Sequence, residues 1–159
     1  MDLLTEIPFD RSGRVYRSQM PFGYTDPSGM IFREYKQTRI STIVMLVSDQ
    51  EAVATSGRNL RQLYLDAGME VIYTPVTDYG IPGEDGFPKA VEMVEEIITR
   101  GENVAVHCQA GRGRTGMFLA CLARRLDGFE GSEAIDWVRG FVPGAVETVE
   151  QEQFVIDFQ

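Results

Sequence analysis

Cys108 and Arg114 have five residues between them in His107-Cys108-Gln109-Ala110-Gly111-Arg112-Gly113-Arg114-Thr115-Gly116. As thiolate, a cysteine is a strong nucleophile, while an arginine fork holds two oxygens of one phosphate. An apolar run, residues 104–106, precedes this glycine-rich stretch and an amphipathic run, residues 117–126, follows it. Such a strand-loop-helix arrangement leaves backbone N–H groups free at a helix N-terminus, where the dipole adds positive potential. The same surroundings favour the thiolate. The expected chemistry is nucleophilic attack by Cys108 on a phosphate held by Arg114 and the backbone of Gln109, Ala110, Gly111, Arg112 and Gly113. Thr115 is placed to donate its hydroxyl to the sulfur.

Expelling an alkoxide or phenoxide requires a proton donor from outside the loop. Asp78, in Val76-Thr77-Asp78-Tyr79-Gly80-Ile81-Pro82, lies just past a predicted strand. In a parallel sheet the strand C-termini share one edge, which brings Asp78 to the crevice that holds Cys108. Glu84 and Asp85 are rivals by charge, but both read as solvated residues at a helix start. His107 is the one histidine of the chain. It ends a buried strand facing away from Cys108, so its expected duty is to tie down the loop through a backbone hydrogen bond.

These residues need a sheet to carry them. Residues 14–17 read as a first strand, 30–37 as a helix and 41–47 as an apolar, β-branched strand covered on both faces. Ser48-Asp49-Gln50-Glu51 has the form of a capping box opening a helix that runs to about Gly68. Residues 69–74 give another strand, and Ala90, Val91, Val94, Ile97 and Ile98 recur at helical spacing up to Gly101. Helical patterns from Ser132 and from Thr148 close the chain. Alternating strands and helices imply a single three-layer α/β domain over residues 1–159, with a central, mostly parallel sheet flanked by helices.

Composition narrows the partners. The net charge of −9 argues against nucleic acid or an anionic membrane surface, both of which need clustered Lys and Arg. Two cysteines and one histidine make neither a disulfide framework nor a zinc pattern, which points to a reducing cytoplasm. Residues 1–10 lack the pattern of a signal peptide, and no apolar run approaches the roughly 20 residues of a spanning helix. No secretion signal or membrane anchor is expected.

His-Cys-x-x-Gly-x-x-Arg-Thr-Gly resembles the signature of the cysteine-dependent protein phosphatases, and the small size is similar to their dual-specificity branch. Val15-Tyr16-Arg17-Ser18 with Pro21 resembles that family's opening strand, Asp78 with Pro82 its mobile acid loop, and Pro143-Gly144-Ala145-Val146-Glu147-Thr148 with Gln151 its late water-positioning segment. The resemblance implies two steps through a phosphocysteine intermediate, Asp78 acting first as acid and then as base, without metal or cofactor. It implies a phosphorylated protein or peptide as substrate, phosphotyrosine and also phosphoserine or phosphothreonine, and inhibition by phosphate-like oxyanions; Tyr79, beside Asp78, is the candidate ring contact. Glu147 stands where larger members carry a water-holding glutamine; an ionised carboxylate accepts from water but cannot donate to it. Gln151 has two candidate duties: holding that water, and closing the capping box Thr148-Val149-Glu150-Gln151.

Other readings compete. Relatives acting on phosphoinositides or inositol phosphates often carry basic residues inside the loop, as Arg112 is here, although Gln109 is neutral. Gly111-x-Gly113-x-x-Gly116 also matches a dinucleotide fingerprint, which would need a strand ending in an acid about 20 residues on. The region of Asp136 and Trp137 is helical in pattern instead. Arsenate reduction would need further reactive thiols, and Cys121 reads as a small buried helix residue. A phosphate-binding module without activity would be favoured by loss of the nucleophile, arginine or acid, and all three candidates are present.

Overall fold

The computed structural model describes residues 2–83 and 86–159. Among them run β1 (Thr5–Ile7), β2 (Val15–Ser18), α1 (Met30–Gln37), β3 (Ile40–Met45), α2 (Asp49–Ser56), α3 (Leu60–Asp66), β4 (Glu70–Tyr73), α4 (Phe87–Thr99), β5 (Asn103–His107), α5 (Gly113–Asp127), α6 (Gly131–Phe141) and α7 (Val149–Asp157). The sheet order is β1-β2-β5-β3-β4. β1 alone is antiparallel to its neighbour; β2, β5, β3 and β4 run parallel, with Ser18 opposite His107 and Met45 also opposite His107. The expected α/β architecture is therefore present, with β5 at the centre and its C-terminal end level with those of both flanking strands.

Apolar burial explains this order. Val104, Ala105 and Val106 are wholly buried, as are Ile43, Val44 and Met45 of the neighbouring strand. Neither strand offers a face to water, as expected of parallel strands between two layers of helices. Aromatic contacts sort several helices into two groups: Tyr35 of α1 meets Tyr64 of α3 at 6.2 Å, and Phe87 of α4 meets Phe118 of α5 at 5.2 Å and Phe154 of α7 at 5.4 Å. α5 is the most deeply placed helix, buried from Gly113 to Ala123.

Three features differ from the sequence expectation. β1 is an added edge strand; with three residues it is too short to show a period. The helix expected from Ser48 to about Gly68 is two helices, because Gly57 adopts φ +70 and ends α2, after which the Asn59 side chain accepts from Gln62 N at 3.1 Å and starts α3. α5 begins at Gly113, earlier than the amphipathic run, so Arg114 and Thr115 belong to its first turn.

Candidate active site

β5 delivers Cys108 to the sheet edge, where the thiol is 3% exposed and accepts a hydrogen bond from Thr115 Oγ1 at 3.1 Å. The loop carbonyls are all turned into the protein. Gln109 O accepts from Met20 N at 2.9 Å, Ala110 O and Gly111 O accept from the Arg17 guanidinium at 3.0 and 2.8 Å, and Arg112 O accepts from Gly116 N at 2.7 Å. In a trans peptide the N–H points opposite to the C=O, and the chain has no cis bond among the described residues. The N–H groups of Ala110, Gly111, Arg112 and Gly113 therefore face away from those partners. No protein acceptor among the described residues takes them, as an anion-binding nest requires. Gly111, at φ +72, lies against Ser18 O and the Arg17 guanidinium, leaving no room for a Cβ.

Arg114 is 2% exposed, and both of its terminal nitrogens meet acceptors. Nη1 donates to Glu51 Oε1 at 2.8 Å and to Val76 O at 2.9 Å; Nη2 donates to Glu51 Oε2 at 2.9 Å and lies 3.3 Å from Asp78 Oδ1. Burial alone would lower its pKa, but the hydrogen bonds and charge of Glu51, with the charges of Cys108 and Asp78, carry it above the usual value. Arg114 is a permanent cation here. Glu51 was not anticipated as a site residue. Ser48 Oγ does accept from Glu51 N at 3.0 Å, but the Glu51 carboxylate turns to Arg114 instead of returning to the cap, so only half of the expected capping box forms. Its place in a first helical turn just past a buried strand of the same sheet edge was the available signal.

Arg17 was also missed as a support of the loop. It sits on β2 directly opposite Val106 and reaches the carbonyls across the strand end. Burial draws its pKa down from the ordinary guanidinium value, against the charge of Cys108.

Asp78 is 56% exposed on the loop after β4, and the neighbouring Tyr79 is exposed at φ +61. The rival acids Glu84 and Asp85 lie outside the described residues. His107 is fully buried: Nδ1 pairs with Cys108 O at 2.9 Å and Nε2 with the Tyr64 hydroxyl at 2.8 Å. A carbonyl can only accept, so Nδ1 carries the proton and Nε2 accepts from Tyr64. Burial holds the imidazole pKa down at about 4, leaving it neutral, and burial raises that of Tyr64. The expected backbone bond of His107 is present.

Glu147 is exposed at the mouth, close enough to Gly113 that a Cβ there would overlap its carboxylate. Gln151 is fully buried and closes the capping box with Thr148, its Oε1 accepting from Glu147 N at 2.8 Å and Thr148 N at 3.3 Å. Its Nε2 donates to Gly80 O at 3.0 Å. The crevice onto which Cys108, Arg114, Asp78 and Glu147 open has a volume of about 1130 Å³ and is also lined by Tyr24, Phe141 and Arg112. Gln109, on the wall, is fixed by donation to Thr55 Oγ1 at 2.7 Å. Among the described residues no trio of His, Cys, Asp and Glu converges as a metal site, and no helix is long and apolar enough to cross a membrane. Cys121 is fully buried in α5, where burial raises its thiol pKa, and Asp136 lies in α6, not on a strand.

A sheet-edge thiol, an amide nest and a buried arginine on this α/β frame define the cysteine-based phosphatase class. The family model described as polymorphic toxin system, DSP-PTPase phosphatase matches residues 21–126. The chain belongs to this DSP-PTPase phosphatase family. An uncharacterised protein of Methanocaldococcus jannaschii is 40% identical over 88 residues, 55% of this chain and 58% of the relative. Mouse dual specificity protein phosphatase CDC14B is 30% identical over 145 residues, 88% of this chain and 27% of the relative. The chain thus matches little more than half of the first of these relatives and about a quarter of the second. Among solved structures, kinase associated phosphatase superposes with a TM-score of 0.87 at 21% identity, covering 98% of this chain and 92% of the other. PTPMT1 in complex with PI(5)P gives 0.79 at 18% identity, covering 99% and 94%. Both likenesses concern the fold.

Proposed function

We propose that this chain hydrolyses phosphomonoesters on proteins, phosphotyrosine and also phosphoserine or phosphothreonine, through a phosphocysteine intermediate. The observation that carries the reading is the convergence of the Cys108 thiol, the inward N–H groups of the loop, buried Arg114 and, 3.3 Å from that arginine, the Asp78 carboxylate. In the first step the Cys108 thiolate forms an S–P bond as the P–O bond to the alcohol breaks, and Asp78 gives its proton to the departing oxygen. Arg114 and the loop amides stabilise the charge on the transferring phosphoryl group. In the second step Asp78 takes a proton from water, whose oxygen bonds to phosphorus. The S–P bond breaks, inorganic phosphate leaves and Thr115 donates to the returning thiolate. Glu147, at the mouth, is the candidate acceptor for that water.

The rim favours a protein substrate. Arg112 is the exposed cation of the wall; Arg17 and Arg114 are engaged by the loop and by Glu51, whereas Asp78 and Glu147 add negative charge at the opening. Each further phosphate on an inositol ring would need its own cation, while a tyrosyl ring finds Tyr79 and Tyr24. Cys108→Ser should abolish turnover of phosphopeptides and retain binding of inorganic phosphate or another phosphate-like oxyanion. Turnover surviving in Cys108→Ser would overturn the mechanism. Faster turnover of inositol phosphates than of phosphotyrosine and phosphothreonine peptides, compared side by side, would overturn the substrate class.

A further inference from the structure

The loop that carries Asp78 has little to hold it by burial: Thr77, Asp78 and Tyr79 are all exposed. It is held by polar contacts at its two ends. On one side Val76 O accepts from Arg114 Nη1 at 2.9 Å; on the other Gly80 O accepts from Gln151 Nε2 at 3.0 Å, and Gly80 N turns back to Thr77 O at 2.7 Å. Asp78 lies between the two pins. The first is made by the arginine assigned to phosphate. The second is made by a residue from the far end of the chain, 71 positions from Gly80.

The orientation of that amide is dictated by its surroundings. Gln151 Oε1 faces two N–H donors, those of Glu147 and Thr148, and the other end faces a carbonyl. Reversing it would set donors against donors and oxygen against oxygen. Full burial leaves water no part in the exchange.

We propose that Gln151 is a positioning residue that latches the acid loop, holding Asp78 over the thiol by donation to Gly80 O while its oxygen caps α7. The assignment rests on the reading of Asp78 as the proton donor. It gives Gln151 a part in the first chemical step, whereas a water-positioning glutamine acts in the second.

The two duties of the amide separate in Gln151→Glu. A capping box accepts glutamate as well as glutamine, so the oxygen that caps α7 is kept, while the donor to Gly80 O is replaced by a second oxygen. The kcat/KM covers steps through phosphocysteine formation. For phenyl phosphate, a poor leaving group, it should fall by about tenfold to a hundredfold, the scale of one lost buried hydrogen bond. For p-nitrophenyl phosphate, whose leaving group needs little protonation, it should fall much less. The ratio of the two is independent of how much of the variant is folded. In an Asp78→Asn background the effect of Gln151→Glu on this ratio should vanish, a non-additivity that generic destabilisation would not produce. An unchanged ratio in Gln151→Glu beside a shifted one in Asp78→Asn overturns the latch alone. A lowered kcat with kcat/KM intact and phosphocysteine accumulating overturns it in favour of water positioning. Equal losses on both substrates in Asp78→Asn overturn the acid assignment, and the latch with it.

Discussion

Replacing Glu51 by glutamine tests whether that carboxylate serves the arginine or the helix. If Glu51 were only the N3 residue of a capping box, glutamine would be neutral, since either side chain fits that role. The geometry says otherwise. Glu51 accepts from both terminal nitrogens of Arg114 at 2.8 and 2.9 Å, in a pair whose side chains are 2% and 25% exposed. Glutamine retains one oxygen for one of those N–H groups and turns its NH₂ on the other, donor facing donor. One hydrogen bond to a charged group is lost, about 1.5 to 3 kcal/mol. At 1.36 kcal/mol per factor of ten, misalignment of Arg114 in the transition state corresponds to a fall of roughly 10- to 150-fold in kcat/KM. The change also removes a negative charge beside Arg114, so affinity for inorganic phosphate as a competitive inhibitor should hold or improve. Steady-state turnover of p-nitrophenyl phosphate, the phosphate inhibition constant and a thermal melt on the same preparation suffice. A folded Glu51→Gln protein with kcat/KM within threefold of wild type would refute the positioning role.

Arg17→Met keeps the aliphatic stem but removes both guanidinium bonds to Ala110 O and Gly111 O. Phosphate binding and kcat/KM should each weaken by roughly tenfold or more, and unchanged phosphate inhibition would show that the loop holds its shape unaided. Gly116→Ala places a Cβ 2.6 Å from Ala145 Cβ and 2.8 Å from Val146 N. Overpacking against backbone costs about 1 to 3 kcal/mol, a melting temperature lower by about 2 to 12 °C, and a melt within 1 °C, roughly the resolution of the method, would contradict the close approach. His107 titrates at about 4 in the fold, below the ordinary imidazole value of 6.5. The unfolded chain therefore binds its proton first, and the stability from neutral His107, full above pH about 6.5, drains away toward pH about 4, amounting to about 3 kcal/mol. Denaturant melts across that range should show a steeper acid loss for wild type than for His107→Gln; parallel curves would contradict the burial of a neutral ring.

The central strands and the cysteine loop were legible because their signals are local: an unbroken apolar run in residues 41–47, and residue types at short spacing from His107 to Gly116. The supports of the loop were not. Glu51 meets Arg114 across 63 positions and Arg17 meets Gly111 across 94, and neither distance leaves a trace in a periodic pattern. Glu51 was masked further, since a serine three residues before a glutamate is what a helix cap looks like, and its backbone does obey that rule. Gln151 presented a genuine ambiguity between two duties, and its partner Gly80 O is a backbone atom that no side-chain pattern announces. The break at Gly57 was visible as a glycine, but the N-cap that makes use of it, Asn59, matters only once α3 has a core to turn toward.

The grip of Arg17 on the loop carbonyls has a kinetic side. The nest is shaped by a residue that reaches it only when β2 has paired with β5, the strand that also pairs with β3. Closing contacts of this span is slow, because chain entropy is lost before the contacts return it. A nascent or partly melted chain therefore carries Cys108 without the shaped nest beside it. Recovery of catalysis during refolding should lag the first helix signal and coincide with completion of the sheet.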